Sequence, residues 1–362
     1  MMTILHLIPT LEGGGAERQL CMLAVEQARR GLNVHVAVRR GGLYMQAMRV
    51  GGVHIHELGN ARSINPRLFF AIRRTIGEVE PDIVQTWLPQ MDILGGLGAL
   101  QGRTRWIISE RTSGDYYYKE IPVFARLRFL LSRYASAVVA NSAGGEEYWR
   151  RAGPQFLKLA TVRNALDFKN IQETASKEAG ESNAKPLLLV VGRFDRDKAH
   201  ATIVRALANL PDNRPAEVLM IGEGSEKPSI AREIEAASLS KRITILPYQA
   251  DWWRWLAVAE GLISMSRYEG NPNVVLETMA GGCPVILSDI PAHREVADAA
   301  SAVFVPVDDV QALSTAIAEL IANKAAALRR AECASARVGS MTVKAMADAY
   351  DAVYKDVLNR KS

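Results

Sequence analysis

The sequence predicts an α/β protein with two Rossmann-like, doubly wound parallel-sheet domains that face a cleft. Short apolar runs typical of strands alternate with amphipathic helical stretches along most of its 362 residues. This alternation begins at residues 3–8 and starts afresh at residues 187–191, which indicates two sheets. The length also exceeds what one ordinary core requires. The carboxyl edges of two such sheets would form a cleft, where folds of this kind bind ligands.

The predicted strands fall into two series separated by a polar segment. Residues 169–184 lack apolar periodicity and are interpreted as a linker between domains at 1–168 and 185–340. Residues 341–362 are predicted to form a closing helix that returns to the first domain. The first series comprises residues 3–8, 34–38, 53–57, 83–86, 106–109 and 137–141, and the second comprises 187–191, 217–221, 243–246, 261–264, 285–287 and 303–305.

Composition limits the class of protein. Apolar residues make up 48% and charged residues 23%, as in globular domains, and no apolar run is long enough to span a bilayer. Three scattered cysteines without metal-ligand spacing indicate a reducing compartment, so a cytoplasmic location is expected.

The net charge of +5 is spread unevenly along the chain. Residues 1–165 carry 21 Lys and Arg against 13 Asp and Glu, whereas the remainder is mildly acidic. This imbalance favours an anionic partner for the first domain, with ordinary charge scatter as the alternative.

The first motif is the glycine loop Gly13-Gly14-Gly15, which follows the first strand and opens a helix. Glycines there let backbone amides approach a phosphate at the positive end of a helix. Arg39 and Arg40 end the second strand where an NAD site requires an acidic residue, so NAD is disfavoured and NADP stays open. A tight turn without a ligand is the structural alternative.

The second motif follows the first strand of the second domain. A turn at Gly192 precedes Arg193 and Lys198, whose charges suit a diphosphate and would stabilise negative charge on a leaving phosphate. Asp195 and Asp197 form a D-x-D pattern that metal-dependent sugar transferases use. Local hydrogen bonding explains it better, so no metal is expected.

The third motif is the most informative and places two glutamates eight residues apart. Glu269 lies in a strand-to-helix loop, and Glu277 lies about one turn inside the following helix. Carboxylates in these positions could accept hydrogen bonds from the hydroxyls of a sugar and a ribose. The backbone amides of Gly270, Asn271 and Asn273 at the helix start could meet a phosphate.

These motifs together resemble the retaining glycosyltransferases of family 4, which have the two-domain GT-B fold and use nucleotide sugars. The resemblance covers nearly the whole chain and is carried by Gly13–Arg18, Pro81–Trp87, Ala140–Ser142, Arg163–Asn164, Gly192–Lys198, Gly222–Gly224 and Glu269–Glu277.

The resemblance implies roles for several of these residues. Arg193 and Lys198 would bind the diphosphate of the donor, Glu277 the ribose and Glu269 the transferred sugar. Gly192 belongs to the loop that carries the two cations. Gly222 and Gly224 would line the nucleotide pocket, and Gly14 and Gly15 would line the cleft from the first, acceptor-binding domain.

The resemblance further implies that a hexose moves from a UDP-sugar, or less favourably a GDP-sugar, without a metal or other cofactor. The acceptor would be a hydroxyl of a lipid-linked glycan in the synthesis of a bacterial surface polysaccharide such as lipopolysaccharide. The acceptor hydroxyl would attack on the face that the diphosphate leaves, and a donor phosphate oxygen would take the proton.

One loop departs from many members of that family. They often carry a histidine after the strand at 106–109, where this chain has Arg111 in the sequence Ser109-Glu110-Arg111-Thr112-Ser113. Arg111 is a candidate to face the donor or an anionic acceptor, and a plain surface arginine is the equal alternative.

Other signals leave further interpretations open. Trp252, Trp253 and Trp255 are assigned to core packing in preference to stacking on a base. The basic, apolar stretches at 67–76 and 119–133 would suit peripheral contact with the inner face of a membrane, although packing on their own sheet is favoured. Nucleic-acid binding is not expected, because no aromatic platform accompanies the basic residues. The alternative functions are an NADP-dependent oxidoreductase and a catalytically silent nucleotide-sugar-binding relative.

Overall fold

The computed structural model describes residues 1–59, 65–100, 104–111, 122–155, 157–177, 186–210 and 216–360. The chain divides into two compact units. The first combines Met1–Ala165 with Met341–Ser362, and the second is Leu166–Ser340. The predicted α/β class with two parallel sheets is confirmed.

A seven-stranded parallel sheet forms the centre of the first unit, in the order β3-β2-β1-β4-β5-β6-β7. Alternate residues of β1 point to opposite faces, so Ile4 and Leu5 belong to different apolar cores. Burial on both faces explains why the central strands are almost continuously apolar. The strands are β1 (Thr3–Thr10), β2 (Asn33–Arg40), β3 (His54–Glu57), β4 (Ile83–Trp87), β5 (Arg105–Glu110), β6 (Ala137–Ala140) and β7 (Lys158–Thr161).

Helices cover both faces of this sheet. Polar residues cap several of them, as at α3, where the side chain of Asn65 accepts a hydrogen bond from the amide of Arg67. The helices are α1 (Gly15–Arg29), α2 (Met45–Val50), α3 (Pro66–Val79), α4 (Pro89–Ala99), α5 (Pro122–Ser132) and α6 (Ala143–Ala152).

The last helix of the chain belongs to the first unit. Its fully buried residues Tyr350 and Tyr354 join the core that α1 and β1 share. Gln27 on α1 donates a hydrogen bond to the Tyr354 hydroxyl over 3.1 Å, and Arg30 forms an ion pair with Asp351 at 2.9 Å. The final helix therefore completes the first core.

A six-stranded parallel sheet forms the second unit, in the order β10-β9-β8-β11-β12-β13. The order 3-2-1-4-5-6 is that of a Rossmann sheet, so the carboxyl ends of β8, β9, β11 and β12 lie along one edge. The strands are β8 (Leu187–Val191), β9 (Glu217–Ile221), β10 (Ile243–Leu246), β11 (Ala259–Ser264), β12 (Val285–Ser288) and β13 (Val303–Val305).

The helices of the second unit begin earlier than the sequence indicates. Where a linker is predicted from residue 169, the structure has a helix over Phe168–Lys177, because buried Ile171 fixes it to the second unit. Residues 178–185, the rest of that segment, lie outside the described residues. The helices are α7 (Phe168–Lys177), α8 (His200–Ala208), α9 (Lys227–Ala236), α10 (Asn273–Ala280), α11 (Pro291–Val296), α12 (Val310–Ala322) and α13 (Lys324–Val338), and α14 (Val343–Asn359) is the closing helix of the first unit.

Within the described part of the chain, no helix has both the length and the apolar character needed to cross a bilayer.

Candidate functional site

Two glycine loops meet at the carboxyl edge of the second sheet. The amide of Gly192 donates to the carbonyl of Ile221 over 3.0 Å, and the amide of Phe194 donates to the carbonyl of Glu223 over 2.9 Å. A side chain at Gly222 would collide with the carbonyl of Gly192, and a Cβ at Gly224 would lie 2.5 Å from that of Phe194. Only glycine permits this approach, which fixes the loop that carries Arg193 and Lys198.

The two predicted cations occupy different environments. Lys198 ends a short 3-10 turn, Arg196–Lys198, and its ammonium group forms an ion pair with Glu269. The side chain of Lys198 is 25% exposed, whereas that of Arg193 is 73% exposed and pairs with Asp195 at 3.2 Å. The structure thus brings Lys198 to Glu269 and leaves Arg193 at the surface of the same loop.

Glu269 lies on the loop after β11 and is 16% exposed. Its carboxylate accepts hydrogen bonds from Lys198 and, over 2.7 Å, from the hydroxyl of Ser266. Burial raises the pKa of Glu269, but the charge and hydrogen bond of Lys198, helped by His293 and Ser266, lower it below its usual value. Glu269 is therefore an ionised acceptor at neutral pH.

Glu277 lies inside α10 and is 3% exposed. The indole nitrogen of Trp253 donates a hydrogen bond to its Oε2 over 3.0 Å. Trp253 is buried, as the packing assignment predicts, but its polar edge also orients a predicted site residue. The contact joins positions 24 apart in sequence, and no local sequence pattern predicts it.

The segment between the two glutamates leads into α10. Gly270 precedes Asn271, which is 7% exposed, and Asn273 is the first helical residue after Pro272 at the cap. The backbone thus turns from the Glu269 loop into the helix that carries Glu277, which places both carboxylates on one short segment.

His293 is a site residue that the sequence interpretation missed. It lies in the first turn of α11, after β12, and is fully buried. The pKa of His293 is lowered, chiefly by burial and also by Lys198, and Glu269 opposes that shift. A histidine after a strand was the available signal, but its proximity to Glu269 depends on the order of β11 and β12 in the sheet.

In the first unit, Gly14 and Gly15 open α1 as predicted. The carboxylate of Glu17 accepts hydrogen bonds from the hydroxyl of Thr10 and from the amides of Gly13 and Gly14. Burial raises the pKa of Glu17, although these donors act in the opposite direction. The chain thus supplies its own anion to these two amides, where the NADP interpretation requires a phosphate.

Arg111 is buried in the first unit and is not a surface arginine. Its guanidinium donates to the side chain of Asn164 and lies 4.9 Å from the ring centre of Trp87. Its carbonyl accepts a hydrogen bond from Asn141 over 3.3 Å. Residues 112–121, the remainder of the predicted Ser109–Ser113 loop, lie outside the described residues.

Among the described residues, no group of three or more His, Cys, Asp and Glu side chains is placed to hold a metal ion. Within the D-x-D pattern, Asp195 pairs with Arg193 and the carbonyl of Asp197 accepts from the amide of Arg267.

Comparison with known proteins agrees with this architecture. The family model described as Glycosyltransferase Family 4 matches residues 13–169, and that described as Glycosyl transferases group 1 matches residues 171–337. The structure of Anabaena Alr3699/HepE in complex with UDP-glucose is similar at a TM-score of 0.85 and 18% identity, over 98% of this chain and 100% of that one. At that identity, the likeness shows the fold.

Two curated relatives are also similar. The lipopolysaccharide core biosynthesis glycosyltransferase LpsE of Rhizobium meliloti is 22% identical over 93% of this chain and 94% of its own length. An N-acetylgalactosaminyltransferase of Campylobacter jejuni, named for a diphospho-undecaprenol acceptor, is 27% identical over 52% of each chain.

The chain is therefore a glycosyltransferase with the GT-B fold. Within that class it belongs to glycosyltransferase family 4, because the two family models together account for both units. This membership excludes the oxidoreductase alternative.

Proposed function

We propose that the enzyme transfers a hexose from a UDP-sugar to a hydroxyl of a lipid-linked glycan, with retention of the anomeric configuration. The observation that carries the proposal is the ionised Glu269 held against Lys198 at the carboxyl edge of the second sheet. The Glu269 carboxylate can accept hydrogen bonds from sugar hydroxyls, while the Lys198 ammonium group attracts a diphosphate.

Lys198 and Arg193 supply the positive charge for the leaving diphosphate. Lys198 pairs with the sugar-binding carboxylate of Glu269 and turns from it to the diphosphate when the donor binds. Arg193, which is exposed on the same loop, exchanges its partner Asp195 for a phosphate. Their combined charge takes the part that a divalent cation plays in metal-dependent transferases, so the reaction is proposed to need no metal.

The nucleotide is proposed to bind between Glu277 and the glycine loops at Gly222 and Gly224. Glu277 accepts the ribose hydroxyls, and Trp253 fixes the carboxylate for them. UDP is favoured over GDP because the similar Anabaena structures contain UDP and UDP-glucose.

No nucleophilic side chain is assigned to the reaction. The acceptor hydroxyl attacks from the face that the diphosphate leaves, and an oxygen of the departing phosphate takes its proton. The residues named above position the donor and stabilise charge on the leaving group, which is sufficient for large rate effects.

The acceptor and its setting are proposed from the relatives and from one surface of the first unit. The names of the two relatives refer to lipopolysaccharide core and to undecaprenol-linked glycan. On α5, the exposed residues Val123, Leu127 and Leu130 form an apolar stripe beside Arg126. Such a stripe suits peripheral contact with an anionic membrane, where a lipid-linked acceptor resides.

Nucleotide binding and turnover test the proposal together. Thermal unfolding with UDP or GDP, with and without magnesium, should show stabilisation by UDP that magnesium does not alter; at ~100 times the dissociation constant the gain is about 2.7 kcal/mol. Glu269→Ala and Lys198→Ala should each lower the rate of sugar transfer, or the rate of the slow hydrolysis of the donor, at least ~100-fold. This is the scale for losing a preorganised charge contact.

Lys324→Ala is the matched control, since it breaks a surface ion pair with Glu260 in the same unit. It should leave turnover unchanged. Near-normal turnover in folded Glu269→Ala and Lys198→Ala proteins would contradict the site, and UDP binding without any donor hydrolysis would indicate a catalytically silent relative.

A further inference from the structure

Three groups from neighbouring strands meet beside Glu269. Lys198 follows β8, Glu269 follows β11 and His293 follows β12, and these strands are adjacent in the order β8-β11-β12. The charged groups that act on the His293 ring are Glu269 and Lys198, one attracting and the other repelling a proton. The imidazole is therefore part of the electrostatic surroundings of the carboxylate.

The hydrogen bonds of His293 fix its tautomer. Its Nδ1 lies 2.9 Å from the carbonyl oxygen of Ser288, which can only accept, so Nδ1 carries the hydrogen. The hydroxyl of Ser288 donates to the carbonyl of Ser266, and the hydroxyl of Ser266 donates to Glu269. Two serines thus connect the ring to the carboxylate.

The other ring nitrogen is left with a lone pair. Nε2 of His293 is buried and has no hydrogen-bond partner among the described residues. A buried acceptor without a donor is unfavourable. A proton on Nε2 would give the ring a donor that a carboxylate can accept from.

Burial, helped by the charge of Lys198, holds the ring neutral in the unliganded enzyme. The Lys198 ammonium group already neutralises Glu269 and opposes a second positive charge on His293. In the proposed function, on which this step rests, Lys198 turns to the diphosphate of the donor. Glu269 then loses its counter-ion while it binds the sugar.

We propose that His293 is a positioning residue for Glu269. When Lys198 turns to the donor, His293 takes a proton from solvent at Nε2 and then holds the carboxylate of Glu269 in place. The imidazolium keeps its bond from Nδ1 to Ser288, so the ring need not rotate. When the nucleotide leaves and Lys198 returns, the proton goes back to solvent.

Titration of His293 in the whole chain tests the coupling without any donor. The Cε1 proton resonance is followed by NMR and assigned by its loss in His293→Asn. In Lys198→Met, which keeps the stem and removes the charge, the midpoint should rise by at least about one pH unit, a tenfold gain in proton affinity. In Lys198→Met/Glu269→Gln the rise should disappear. An unchanged midpoint in Lys198→Met, or an equal rise in the double variant, would overturn the proposal.

Donor binding supplies the second arm. Saturating UDP-glucose should raise the same midpoint in the unmodified enzyme, and bound UDP-glucose without a rise would overturn the inference. A rise in Lys198→Met combined with no binding of UDP-glucose would support the coupling and count against the proposed donor instead.

Two substitutions separate positioning from packing. Asn at 293 places an amide near Nδ1 and keeps the Ser288 contact, whereas Gln reaches the position of Nε2 with a permanent N–H donor. Donor hydrolysis should fall at least ~10-fold in His293→Asn, the scale of one hydrogen bond to a charged group, and recover in His293→Gln. Equal losses in both variants, with unchanged urea midpoints, would overturn the positioning role.

Discussion

Trp253 sets the orientation of Glu277 through one hydrogen bond between two buried side chains. Trp253→Phe keeps most of the ring and removes the donor. A hydrogen bond to a charged group is worth about 1.5–3 kcal/mol, so the dissociation constant of UDP should rise at least ~10-fold. Calorimetric titration with UDP measures it, and 2′-deoxy-UDP should show a smaller effect of the substitution if Glu277 binds the ribose.

Trp252→Phe provides the comparison, because Trp252 is buried in the same turn and is separate from the Glu277 bond. Its UDP affinity should stay near that of the unmodified enzyme. Equal weakening by both substitutions would show that the turn matters only for packing.

At this scale, sequence patterns identify residues whose role depends on local position. Lys198 and Glu269 each follow a strand, in motifs that predict charged side chains at a sheet edge. In the structure the two form an ion pair. His293 and Trp253 act across elements that are distant in sequence, so their roles require the order of strands and the packing of the 3-10 turn at Trp252–Ala257. The sequence left the role of Arg111 undecided for the same reason, since its burial depends on contacts with Trp87 and Asn164.

At the scale of elements, α5 carries two faces of different chemistry. Its inner face holds Arg128 in ion pairs with Asp92 and Glu110, both at 2.6 Å, while its outer face exposes Leu127 and Leu130. Because buried ion pairs hold the inner face of the helix in place, the apolar residues of the outer face keep a fixed position. This arrangement gives the proposed membrane contact a defined surface.

Leu127→Ser/Leu130→Ser should reduce co-sedimentation of the enzyme with phosphatidylglycerol vesicles. Burial of apolar surface contributes about 25 cal/mol per Å², so removing two leucines should weaken partitioning at least ~10-fold. Turnover with a water-soluble acceptor should change little, because neither leucine belongs to the site in the second unit.

Leu328→Ser tests whether any exposed leucine has this effect. Leu328 is 57% exposed on α13 of the second unit, comparable to Leu130 at 52%. Vesicle binding that falls equally with Leu328→Ser would contradict a role for α5.

Regular elements were predictable where apolar period and length agree. The buried strands of both sheets are such cases, and their order follows from alternation with helices. The strand Lys158–Thr161 was missed because its four residues are only partly buried and carry no apolar run. The helix Phe168–Lys177 was interpreted as linker because its burial on the second unit rests mainly on Ile171.

At the scale of the whole molecule, a buried neutral histidine makes stability depend on pH. Burial lowers the pKa of His6 to about 4, although its hydrogen bond with Gln27 acts to raise it. The unfolded chain therefore binds a proton more tightly than the folded chain between pH 6.5 and about 4. His6 should stabilise the fold fully above pH 6.5, and that contribution should be lost as the pH falls, by about 1.4 kcal/mol per unit.

Urea unfolding between pH 7.5 and 4.5, followed by circular dichroism, measures this slope. His6→Gln should reduce the slope, even if the variant is less stable at pH 7.5, because Gln does not titrate. The rest of the slope should persist, since burial also lowers the pKa values of His35 and His200 to about 4. An unchanged slope in His6→Gln would contradict the assignment.

The return of α14 to the first unit has a consequence for synthesis on the ribosome. The core of that unit needs Tyr350 and Tyr354, which leave the exit tunnel only after all of Leu166–Ser340. The chain of the second unit is therefore complete before that of the first unit. Until α14 emerges, the first unit has an uncovered surface on α1. Its half-made state is the one that chaperones would meet during translation.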